Sequence, residues 1–230
     1  MYKATTIAIL FCSGGLAGCG VTSQLHSELS YGAASDEVLA ISDAGIGVLT
    51  PAAPTGQESD KQALGDALGT ALRSDLGATR VLGLPAMLSA INTAGLASAY
   101  SRALVDYENT GILDRDTLRA IGEASGVRYL AKLNLGNFSQ SSDKRLAIAG
   151  IRMFDTWRAT IRVHLEVWDS ASGEIAWQGN DELVYAREGI KERPVTFRQV
   201  AEVAATSLVQ KVGTSGTESV DQDPQTVAAR

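Results

Sequence analysis

The most constraining stretch of this chain is the run from Trp157 to Trp168, where apolar and polar residues alternate without a break. Trp157, Ala159, Ile161, Val163, Leu165 and Val167 fall on one side of an extended backbone, and Arg158, Thr160, Arg162, His164, Glu166 and Trp168 on the other. Successive strand side chains point to opposite faces, so one face of this strand is core and the other is wet or paired. Asp169 to Gly173 has the composition of a hairpin turn, and Glu174 to Tyr185 returns as the partner strand with Ile175 and Trp177 expected inward.

Helical spacing takes over on either side of this hairpin. Ala63, Leu64, Ala67, Leu68, Ala71, Leu72 and Leu76 form an apolar stripe, Ser59 and Gln62 have capping-box spacing, and Gly77 stands where a left-handed residue ends a helix. A helix is expected from Pro85 to about Ile91, another from Leu96 to about Glu108, and a third from Asp114 to Ser125. Asp114 is its N-cap, Leu113 and Leu118 its hydrophobic staple, and Gly126 its stop. Phe197, Val200, Ala201, Ala204, Ala205, Leu208 and Val209 share a face of a last helix after Pro194. Short strands are expected at Ile46 to Leu49 and Arg80 to Leu84, and a longer one at Val127 to Leu135. The class is therefore α/β: a single domain over residues 44–212, a mixed sheet flanked by helices, with a C-terminal antiparallel hairpin and a final helix.

Residues 1–18 have the form of a signal peptide. Lys3 supplies the positive start, Ala4 to Phe11 an apolar core too short to span a bilayer, and Leu16-Ala17-Gly18-Cys19 resembles the lipobox of bacterial lipoproteins. Cleavage between Gly18 and Cys19 leaves Cys19 as the acylated N-terminus. The alternative, a secreted protein with Cys19 in a disulfide, lacks a partner, because the other cysteine, Cys12, is discarded with the signal. Gly20 rather than Asp follows Cys19, which favours the outer membrane, periplasmic side. Residues 19–43 are expected to be a flexible tether, with a reach of about 30 Å for roughly 25 residues, and residues 213–230 a polar tail without fixed structure.

The order of elements resembles the amino-terminal domain of TolB and lipoproteins built on it: the curli secretion lipoprotein, the Pel polysaccharide-export lipoprotein and the outer-membrane activator of penicillin-binding proteins. Gly45 to Leu49, the Ala63 to Leu76 helix, the Leu113 to Leu135 helix-to-strand segment and the hairpin Val163 to Trp177 carry the resemblance. It implies a periplasmic protein that acts by binding partners, either an oligomerising accessory or scaffold in envelope assembly or secretion, or a monomeric regulator of a cell-wall enzyme. An envelope protein or a polysaccharide-export partner is the implied contact, together with the membrane through the lipid on Cys19.

The chemistry of the chain points the same way. A net charge of −6 makes nucleic acid a poor partner. Without mature thiols other than Cys19, and with two histidines, His26 and His164, no metal-ligand spacing exists, and no metal, cofactor or catalytic residue is expected. Gly45-Ile46-Gly47 lacks the third glycine of a dinucleotide loop. His164 has Glu166 and Arg162 as its period-two neighbours, a pairing more in keeping with a sheet face than with acid–base chemistry. Residues 139–156 interrupt the strand pattern, too apolar for an ordinary loop and too charged for a core. A partner-contact loop or oligomer surface is the expectation there, with Arg145, Ile148, Ile151, Arg152, Met153 and Phe154, and with Arg158 and Arg162 beside it; packing on the chain's own domain and a membrane hairpin are the alternatives.

Overall fold

The computed structural model describes residues 23–33, 41–54, 59–78, 80–148, 151–189 and 195–214. Six strands form one mixed sheet: β1 (Ser23–Ala33), β2 (Ile46–Val48), β3 (Val81–Leu82), β4 (Tyr129–Ile148), β5 (Ile151–Asp169) and β6 (Ile175–Gly189), in the order β1-β6-β5-β4-β2-β3. β2 pairs in parallel with β3 and β4, while β4, β5, β6 and β1 run antiparallel in succession. The helices are α1 (Ile41–Ala44), α2 (Asp60–Asp75), α3 (Leu84–Thr93), α4 (Ala97–Thr110), α5 (Arg115–Ser125) and α6 (Phe197–Thr214).

The alternation in β5 separates two cores. On one face Ala159, Ile161, Val163, Leu165 and Val167 meet Leu64, Leu68 and Leu72 of α2 and Val200, Ala204, Leu208 and Val209 of α6, with Trp177 and Leu183 from β6. On the other, Leu130 and Trp168 pack with Met87 and Ile91 of α3, Tyr100 and Ala103 of α4, and Leu118 and Ile121 of α5. The result is three layers, with the sheet between α2 and α6 on one side and α3 to α5 on the other. Helix ends follow the local chemistry. Asp114 Oδ2 accepts the Thr117 N–H at 2.8 Å, Leu113 and Leu118 are both buried, and Gly126 ends α5 at φ 66°.

Four expectations need correction. Ser59 is helical in backbone conformation and makes no side-chain cap bond, so the capping box with Gln62 does not form. Ile175 sits in the second core rather than beside Trp177, because the β5–β6 register shifts between Val167 and Trp168 and turns the next residue to the opposite face. Residues 23–33, assigned to the tether, are strand β1, paired from Ser23↔Arg187 to Ala33↔Trp177. An edge strand draws its order from the ladder bonds of its neighbour, so a weak apolar pattern suffices. Finally, residues 139–156 do not break the sheet: β4 and β5 stay paired through Ile148↔Ile151, with one bulge between Leu135 and Asn137. That bulge hid the continuation, since one extra residue reverses the apolar phase of β4.

Trp177 is fully buried, and its indole lies over Gly179, where an added Cβ would stand 2.5 Å from Cη2. The ring cannot retreat within the packed core. Gly179→Val is expected to cost about 1–3 kcal/mol through overpacking, seen as a lower urea midpoint; an unchanged midpoint would show that the core has slack beneath the ring.

Candidate functional site

Two features stand out from the frame: a buried polar cluster on the second face of the sheet, and the extended β4–β5 ribbon.

The cluster centres on the Glu166 carboxylate, which is nearly buried. It accepts from the Tyr107 hydroxyl at 2.9 Å and the Trp168 indole at 3.0 Å, and lies 3.1 Å from His164 Nε2. Asn134 Nδ2 donates to the Tyr107 hydroxyl at 2.7 Å, and His164 Nδ1 faces Asn180 Oδ1 at 2.8 Å. Lys132, 1% exposed, donates to the Thr50 carbonyl at 2.8 Å and holds its ammonium 4.7 Å from the centre of the Tyr107 ring. Tyr100, seven residues before Tyr107 on α4, accepts the Thr50 N–H at 2.7 Å. Two tyrosine hydroxyls thus dock α4 on the sheet, one through Glu166 and one through the chain after β2.

Burial alone would raise Glu166, but the bonds from His164, Tyr107 and Trp168 outweigh it and leave the carboxyl below its ordinary range. The bond to Glu166 raises His164. Both imidazole nitrogens face oxygens, an arrangement that suits the imidazolium and leaves neither nitrogen open as a base. Burial pushes Lys132 down to about 8, against the opposing pull of Glu166 and Glu108. Burial also raises the Tyr107 hydroxyl, with Glu166 adding to it.

The pairing of His164 with Glu166 was legible from their spacing. Lys132 and Tyr107 were not: Lys132 sits in an ordinary polar position of its strand, and nothing in the α4 sequence shows that Tyr107 reaches Glu166, 59 residues away. Three clefts among the described residues lie elsewhere, one between the end of α5 and the β5–β6 turn beside Arg119, Glu123 and Ser170, another beside Arg73 and Gly83, and a third beside Tyr185, Gln199 and Glu202.

The residues expected to meet a partner lie along the ribbon. Arg145, Ile148, Ile151, Arg152, Met153 and Phe154 occupy its far end, and Arg158 and Arg162 follow on β5. Pairing of Arg145 with Phe154 and of Ala147 with Arg152 puts both arginines on the strand face of Arg158, Arg162 and His164. Leu146, Ile148, Ile151 and Met153 fall on the opposite face, in phase with the core positions of β5. Arg158 is exposed, and Arg162 is balanced by Glu182 at 2.7 Å, also at the surface. Gly18 and Cys19 lie outside the described residues.

No protein-family model matches the sequence, and no curated protein does. Among solved structures, the chain is similar to a PelC dodecamer from Paraburkholderia phytofirmans, at 10% identity and TM-score 0.44, over 81% of this chain and 97% of that one. A point variant of that dodecamer gives 14% identity and TM-score 0.46, over 80% and 97%. A lipoprotein from Neisseria meningitidis gives 13% identity and TM-score 0.35, over 72% and 95%.

The raised His164 sets the sign of a pH effect. Its stabilisation is fully present below the unfolded pKa, about 6.5, and is lost as pH rises through the folded value. His164→Asn is expected to lower stability by about 1 kcal/mol at pH 5.5, with the gap to the unsubstituted protein closing by pH 9 in denaturant melts. Equal gaps at the two pH values would show that the imidazole acts through packing alone. Lys132 works in the other direction. Its native form releases a proton near pH 8 and its unfolded form near 10.4, so stability rises with pH between them, and Lys132→Met is expected to abolish that rise in the same melts.

Proposed function

We propose that this chain is a lipid-anchored envelope protein that works without catalysis, as an oligomerising accessory or scaffold whose copies join edge to edge. The observation that carries the reading is the open edge of β4. On β4, β2 pairs with Tyr129 to Ala131, the bridge Ala52↔Asn134 adds a single contact, and Leu135 donates to the Ala52 carbonyl at 2.8 Å. From Gly136 to Ile148 no described strand pairs with the outer side of β4. At the other border of the sheet, no described strand pairs with the outer side of β1. The two edges overlap in level, since Ser23, Arg187, Trp157 and Ser142 form one row across the sheet and Leu29, Asp181, Val163 and Leu135 another.

Long unpaired edges are templates for another strand. A β1 edge from one copy against the β4 edge of the next is a head-to-tail contact, which closes into a ring or runs on as a filament. The signal segment and the lipobox at Cys19 support the envelope address, and the element order supports kinship with the TolB amino-terminal group. The cluster around Glu166 supports the non-catalytic reading, because Glu166, Tyr107, His164 and Lys132 are engaged in holding one another and α4, with only the Asn134 Oδ1 of the cluster left without a partner among the described residues. β1 also shortens the tether. Three residues lie between Cys19 and Ser23, a reach of at most about 14 Å over the four Cα steps, which disfavours a regulator reaching across the periplasm.

Light scattering on the detergent-solubilised lipoprotein is expected to give a mass of several copies; a strict monomer at high concentration would overturn the scaffold in favour of the single-copy regulator. Adjacent residues of β4 turn their N–H groups alternately toward β5 and toward the open edge, so Ser141→Pro and Ser142→Pro separate the two roles. One of the pair is expected to dissociate the assembly with its melting temperature kept, the other to lower the melting temperature. Retention of the assembled mass by both would rule out pairing through this edge.

A further inference from the structure

The sheet register brings Ser23, four positions after the candidate acylation site Cys19, and the β4–β5 ribbon to the same end of the sheet. Ser23 pairs with Arg187, Arg187 with Trp157, and Trp157 with Ser142. Beyond that row β1 leads back toward Cys19, while β4 and β5 run on to Ile148↔Ile151. Six further residues per strand carry the ribbon about 20 Å past the row at roughly 3.3 Å per residue. The chain from Ser23 to Cys19 reaches at most about 14 Å, so the ribbon overreaches the point at which the anchor enters the bilayer.

From this juxtaposition we propose that the ribbon is a second membrane contact, seated at the boundary between headgroups and acyl chains beside the lipid on Cys19. The inference rests on the lipidation proposed above. Leu146, Ile148, Ile151 and Met153 share one strand face of the ribbon, and Arg145 and Arg152 share the other with Ala147 and Phe154. Apolar residues on one side and long cationic ones on the other suit a surface of anionic phospholipid, where the apolar side enters and the guanidinium groups meet phosphates. Among the described residues β6 accompanies β5 as far as Asp155↔Gly189, which leaves four residues of β5 beyond it, Ile151 to Phe154. A transmembrane strand needs about 9–11 residues. The ribbon therefore dips into the surface and does not cross it. A membrane so placed covers the apolar side of the ribbon, while the open edge of β4 from Gly136 toward Ser142 stays available to a neighbouring copy.

The test uses the full lipidated chain in vesicles of phosphatidylethanolamine and phosphatidylglycerol, with Ile151→Cys carrying an environment-sensitive fluorophore. Ala171→Cys, exposed in the β5–β6 turn at the opposite end of the sheet, is the reference. The label at 151 is expected to shift to the blue and to lose at least half its emission when brominated lipid is included, and the label at 171 to do neither. Equal, solvent-like emission at both sites on vesicle-bound protein would overturn the membrane contact while leaving the anchor intact. A blue-shifted label that brominated lipid does not quench would overturn it in favour of burial against a second copy. A chain whose mass lacks acyl groups and which stays off the vesicles would overturn the lipidation on which the proposal stands. Met153→Asp in the lipidated chain is expected to bring the label at 151 back toward its solvent-like emission without releasing the protein from vesicles; an unchanged label there would also count against the contact.

Discussion

The central ladder of this sheet is longer than anything available to cover it. β4 and β5 run for 20 and 19 residues, against three for β2 and two for β3. Strands in globular proteins average about 5–6 residues, so the first part of each long strand is enough to build the domain. In that part the alternation of β5 divides two cores, and α2 and α6 on one side and α3 to α5 on the other complete them. Among the described residues the rest is surplus: an open edge along β4 and a ribbon that β4 and β5 continue to Ile148↔Ile151. Backbone pairing, which needs no particular side chains, holds that surplus as strand to Ile148↔Ile151.

The second face shows how the same ladder tolerates polar residues inside. α3 and α5 meet apolar residues near the start of β4 and the end of β5, but α4 crosses toward positions where Lys132, Asn134, His164 and Glu166 face it. A buried carboxylate is costly unless donors surround it. Tyr107, Trp168 and His164 supply them, and Lys132 places a cation over the Tyr107 ring. The cluster works as a clamp. Tyr107 and Tyr100 are the side chains through which it and the neighbouring Thr50 hold α4.

Much of the plan was legible in the residues. The Trp157 to Val167 alternation, the α2 stripe, the Asp114 cap with Gly126 as stop, and the α6 face all reappear as buried surfaces or cap bonds, because each depends on a period or on a bond within a few residues. Where the period is disturbed, legibility fails. The bulge after Leu135 reversed the phase of β4, so residues 139–156 looked like an interruption, and the shift at Trp168 turned Ile175 to the other core. β1 was missed for a different reason: Leu25, Leu29 and Tyr31 are too sparse to signal a strand until β6 is beside them.

The sequence by itself determined the α/β class, the core faces of β5, α2 and α6 and the candidate acylation site at Cys19, since these follow from side-chain periodicity and a local motif. Only the tertiary structure decided which polar residues meet, which strand edges stay open, and that Ser23 and the ribbon share one end of the sheet. Those are relations between segments far apart in the chain, and they depend on strand register, which is settled only when the ladders form and one face is chosen for burial.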